Sequence, residues 1–83
     1  MEYIVILGKG SVKGTTIPTS LKVWSSKFNR EVGDKITFEG EVWTVQQAEL
    51  SSKQEAIELK NSIIELFIEK GYWKSVRTFR TKF

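Results

Sequence analysis

The chain has 83 residues, 40% hydrophobic and 28% charged, with a net charge of +3. That balance belongs to one small globular domain over 1–83 and excludes a disordered chain. Cysteine and histidine are both absent, which removes disulfides, thiolate and imidazole metal ligands, the cysteine nucleophile and every histidine-based triad.

The first predicted element is a strand over 3–7, the apolar run Tyr3-Ile4-Val5-Ile6-Leu7. Its unbroken β-branched character is that of a central strand buried on both faces. No apolar run in the chain exceeds these five residues, against about 20 for a membrane span, so the chain reads as cytoplasmic with no membrane segment.

The next stretch, GKGSVKGTT from Gly8, has three glycines and two lysines and invites a phosphate-loop reading. A Walker loop needs its lysine directly after the second glycine and a helix directly beyond. Here Lys13 precedes Gly14, and Ile17-Pro18 follows, a poor helix start. The dinucleotide fingerprint fails too, because Lys13 stands where its third glycine belongs. The stretch from Gly8 to Ser20 is therefore expected to be a basic connection or frayed hairpin, with Lys9 and Lys13 available to an anionic partner.

A half-buried strand follows over 21–25, with Leu21, Val23 and Ser25 alternating against Lys22, Trp24 and Ser26. Residues 35–39 and 42–48 form a predicted hairpin turning at Glu39-Gly40, since glycine supplies the positive φ of a tight turn. That turn pairs Phe38 with Glu41 and Ile36 with Trp43. Ile36, Phe38, Trp43 and Val45 then share a core face, with Thr37, Val42 and Thr44 looking outward.

A helix is predicted over about 52–70. Ser52 and Glu55 have capping-box spacing, and Gly71 stands where a left-handed residue would end the helix. Ala56, Leu59, Ile63, Leu66 and Phe67 form its apolar stripe, widened by Ile57, Ile64 and Ile68, while Glu58, Glu65 and Glu69 mark the solvated side. So wide an arc leaves room for a homodimer through the helix. The last residues alternate as a final basic strand. Residues 70–83 carry five basic and no acidic residues, whereas residues 1–50 are balanced.

The expected fold class is α+β: a four- or five-stranded, mainly antiparallel sheet or partly open small barrel, with one long C-terminal helix and the final basic strand. Glu31 and Asp34 are too few for a metal site, and no cofactor motif is present, so a non-enzyme is expected. The expected function is a protein-binding regulator or inhibitor that docks a basic, aromatic surface on a larger protein or nucleoprotein with an acidic surface. Trp73, Lys74, Arg77, Phe79, Arg80 and Lys82 would carry the contact, with Lys9 and Lys13 as auxiliaries, since Trp, Tyr and Arg dominate interface hot spots. The alternative is sequence-tolerant binding of RNA or single-stranded DNA by the same C-terminal strand, whose charges neutralise phosphates while its rings stack on bases. Of the three tryptophans, Trp43 is assigned to the core, and Trp24 and Trp73 are the ones expected to work at the surface.

Overall fold

A computed structural model describes residues 2–73. It contains strands β1 (Tyr3–Lys9), β2 (Ser20–Ser26), β3 (Lys35–Phe38) and β4 (Glu41–Leu50), then helix α1 (Lys53–Glu69). The strands form one open antiparallel sheet in the order β2-β1-β4-β3. This is the expected α+β architecture with four strands. The final basic strand expected after the helix lies outside the described residues. Among those residues, no helix is long and apolar enough to cross a membrane.

β1 is central, as its composition predicts: Val5, Ile6 and Leu7 are all buried. Alternation sends Val5 and Leu7 to one face and Ile6 to the other. Val5 and Leu7 join Ile36, Trp43 and Val45 in the core cluster, with Trp24, Phe38 and Ala48 packed against it. The β3–β4 register is the expected one, Phe38 opposite Glu41 and Ile36 opposite Trp43. Glu39 (φ 48°) and Gly40 (φ 82°) both have positive φ, the geometry of a type I′ turn, whose twist matches that of the flanking strands. The β1–β4 ladder shifts register twice, between Ile4 and Ile6 and between Ile6 and Leu7. Such bulges bend and twist a strand, and Glu49 in the same stretch has φ 59°.

The connection between β1 and β2 is more structured than a frayed hairpin. The Val12 amide donates to the Ile17 carbonyl (2.6 Å), and the Thr15 amide donates to that of Val12 (2.9 Å). Thr19 donates to the Lys9 carbonyl through both its amide and its hydroxyl. Gly10 has φ +73°, and a Cβ there would run into the Thr19 hydroxyl. Only glycine lets the chain pass at that point. The element that follows this connection is β2, so no helix start meets the loop.

Helix α1 begins and ends on the signals its sequence carries. The Ser52 hydroxyl accepts from the Glu55 amide (3.1 Å), while the Glu55 carboxylate accepts from the amide of Ser51 (2.8 Å), one residue earlier than in the usual capping box. At the other end, Gly71 donates to the Ile68 carbonyl and Tyr72 to that of Phe67. With Gly71 at φ 82° this is a Schellman motif, and Tyr72 lies edge-on to Phe67, ring centroids 6.4 Å apart.

The helix packs against β2, β1 and β4, but its buried line differs from the expected stripe. Ala56, Lys60 and Ile64 are buried, while Leu66 is 46% exposed. The buried face is thus turned toward Lys60, whose four-carbon stem substitutes for an apolar side chain. Burial pushes the Lys60 ammonium below its ordinary pKa.

Candidate partner-binding face

The face of the sheet bearing Val5, Leu7, Trp43 and Val45 has no helix over it among the described residues, yet all four side chains are buried. Their cover comes from the outer strands. In a flat sheet the backbones of β2 and β3 would stand about 14 Å apart, three spacings of about 4.8 Å. Here Trp24 of β2 and Phe38 of β3 meet edge-on, centroids 5.0 Å apart and planes at 83°. The sheet coils toward this face, and the two rings close over its core.

Cations lie on those rings. The Lys22 Nζ sits 4.5 Å from the Phe38 centroid and 5.0 Å from that of Trp43, and the Lys9 Nζ lies 5.2 Å from Trp43. The Arg30 guanidinium is 5.6 Å from both Trp24 and Phe28. A continuous track therefore runs Lys9, Trp43, Lys22, Phe38, Trp24, Arg30, Phe28 across the open face. Each neighbouring pair is within reach of a cation–π or ring–ring contact. Lys9 is neutralised by Glu41 (2.8 Å). Among the described residues no carboxylate pairs with Lys22 or Arg30.

The Arg30 end of the track is held rigidly. The buried Ser26 hydroxyl accepts from the Phe28 amide (3.1 Å) and from Arg30 Nε (3.1 Å), and donates to the Phe28 carbonyl (2.8 Å). Further along this connection, the Glu31 amide donates to the Asp34 carboxylate and the Asp34 amide to the Glu31 carbonyl. Gly33 donates to the Val45 carbonyl, and Val45 to that of Asp34. The result is a fixed loop that leaves Phe28 68% and Val32 66% exposed. Large apolar side chains presented on an anchored loop are preorganised for contact.

Of the residues expected to bind a partner, Lys9 lies on this track and Lys13 is exposed on the β1–β2 connection. Trp73 is only 7% exposed, with its indole N–H donated to the Pro18 carbonyl (2.7 Å) and its ring 5.3 Å from Phe67. In this arrangement it is a packing residue joining the helix end to the β1–β2 connection. Lys74, Arg77, Phe79, Arg80 and Lys82 lie outside the described residues. The sequence reading did not single out Lys22, Phe28, Arg30 or Phe38 as site residues. The available signal was the placement of Lys22 and Trp24 on the same side of β2, but which residues of β3 and the next connection they meet is set by the coil of the sheet.

Residues 2–73 carry nine basic and ten acidic residues, so the positive excess of the chain lies in 74–83. The track is a local concentration of cations on a nearly neutral body. Comparison of the chain with protein families, with curated proteins and with solved structures finds no match.

Proposed function

We propose that this protein is a non-catalytic docking module, a regulator or inhibitor that holds a larger protein through its basic, aromatic face. The observation that carries this reading is the Arg30 loop. Its guanidinium lies over Trp24 and Phe28, and Phe28 and Val32 stand out into solvent on a backbone tied down through Ser26 and Val45. An aromatic ring, an aliphatic side chain and an arginine in one rigid cluster have the composition of an interface hot spot. The neighbouring cations, Lys22 above all, favour an acidic rim on the partner.

Single-stranded nucleic acid is the competing ligand class, and the track is a poorer fit to it. Base stacking needs free ring faces, whereas Trp43 is buried and the partly covered Phe38 and Trp24 already carry the protein's own cations. Glu41 beside Lys9 adds a carboxylate that repels phosphate. The basic residues 74–83 are proposed as auxiliaries to the same contact.

The test is capture from lysate with tagged protein, with and without nuclease, beside two variants, Phe28→Ala/Arg30→Ala and Arg77→Ala/Arg80→Ala. The expected result is one protein retained stoichiometrically after nuclease and lost, at least tenfold, with Phe28→Ala/Arg30→Ala. Recovery that consists of nucleic acid, with every protein lost after nuclease, would overturn the reading in favour of the other ligand class.

A further inference from the structure

The sheet separates two surfaces of opposite charge. On one side lie Lys22 and Arg30 with the exposed Phe28 and Val32, and Lys9 paired with Glu41. α1 covers the side to which Ile6 points, and it presents Glu58, Glu65 and Glu69, all exposed. Among the described residues none of these three carboxylates pairs with a lysine or arginine. The basic residues of α1 do not neutralise them: Lys53 is at the first turn and Lys60 is buried beneath the helix. Leu66, 46% exposed, follows Glu65 and lies one turn before Glu69.

Each side thus offers an exposed apolar side chain bordered by charge: Glu65 and Glu69, with Lys70 at the helix end, beside Leu66, and Arg30 beside Phe28. Because the sheet stands between them, one molecule cannot bring its own two surfaces together, whereas two molecules can. We propose that the chain associates with a second copy of itself head to tail, the acidic outer face of α1 in one copy seated on the basic, aromatic track of the next. The contact is heterologous, so it leaves one free surface at each end and propagates as a ring or an open row. It deepens the docking reading and rests on it, since the same track would receive the partner, and self-association would compete with partner binding.

The experiment is sedimentation of the full chain over a range of concentrations, at low salt and at about 1 M salt, where the Debye length falls to about 3 Å. Two variants accompany it: Lys22→Gln/Arg30→Gln removes charge from the track, and Glu65→Gln/Glu69→Gln removes it from the helix. Circular dichroism confirms that both fold. The expected result is a mass that rises with concentration above the 9.6 kDa of one chain and returns to it in high salt. Each variant is expected to be monomeric by itself, and an equimolar mixture to stop at a 1:1 pair, because only one intact contact can form.

Wild-type protein that stays monomeric at every concentration in low salt overturns the proposal, and this readout stands even where a variant fails to fold. That outcome includes the case in which the chain's own basic C-terminal residues cover the helix. Persistent dimers of either variant by itself also overturn it, in favour of a symmetric helix–helix contact. A folded mixture that remains monomeric does so as well. The docking reading is scored separately: partner capture lost in Lys22→Gln/Arg30→Gln, with the wild type monomeric, retains that reading and discards this one.

Discussion

Trp24 and Phe38 sit on opposite outer strands of an open sheet, yet their rings are 5.0 Å apart at 83°. This contact links the two edges without a backbone hydrogen bond between them, and it roofs the core built on Val5, Leu7 and Val45. An edge-to-face pair of this kind contributes about 0.5–1.5 kcal/mol beyond its buried area.

A double-mutant cycle on Trp24→Ala and Phe38→Ala is therefore expected to show a coupling of about 1 kcal/mol in urea unfolding. The Lys22 ammonium on Phe38 is lost in Phe38→Ala with or without Trp24, so it cancels from this coupling. Additivity within about 0.3–0.5 kcal/mol would mean that the edges are held independently and that the rings only happen to be close.

The turn at Glu39-Gly40 carries a residue that its geometry does not favour. Both positions have positive φ, and a type I′ turn prefers Asn-Gly. Glu39→Asn is expected to stabilise the protein by several tenths of a kcal/mol, and Gly40→Ala to destabilise it by about 1 kcal/mol. The check is the urea midpoint of each variant; a Glu39→Asn midpoint below that of the wild type would contradict the turn assignment.

Trp73 and Pro18 are 55 residues apart and joined by one hydrogen bond of 2.7 Å. Trp73→Phe keeps a ring against Phe67 but deprives the Pro18 carbonyl of its donor, at an expected cost of about 1–2 kcal/mol. Amide exchange over residues 10–19 should quicken along with it. Unchanged exchange in that stretch would show that the connection is held by its own hydrogen bonds and owes nothing to the helix end.

Lys60 predicts the direction of a pH effect. Burial lowers its folded pKa from the ordinary 10.5. Between the lowered value and 10.5 the unfolded chain binds more protons than the folded one, so this group makes stability rise with pH across that window. Below it both states are charged, and the desolvation penalty is fully present. Lys60→Met keeps the stem and removes the titrating group, so it should flatten the alkaline rise. A variant with an undiminished rise would assign the effect to other groups.

Much of this protein is local and legible in its residues. The unbroken apolar run at 3–7 marks the central strand because a strand buried on both faces has no polar side to show. Glu39-Gly40 sets the hairpin register, since in a two-residue turn the pairing of Phe38 with Glu41 follows from the turn itself. Ser52 and Gly71 mark the ends of α1 through hydrogen bonds spanning only a few residues.

Only the tertiary structure decided the rest. That Leu66 is left outside while Lys60 goes under the helix depends on how α1 rolls over the sheet, which a helical wheel does not contain. Trp73 is buried with its indole N–H on the carbonyl of Pro18, 55 residues away, and its ring against Phe67. The track from Lys9 to Phe28 exists because a coiled sheet brings β2, β3 and the Arg30 loop onto one surface, from positions that are distant along the chain. Strand pairing and caps are set by near neighbours and by turn geometry; the roll of a helix and the meeting of two sheet edges are set by packing between remote segments.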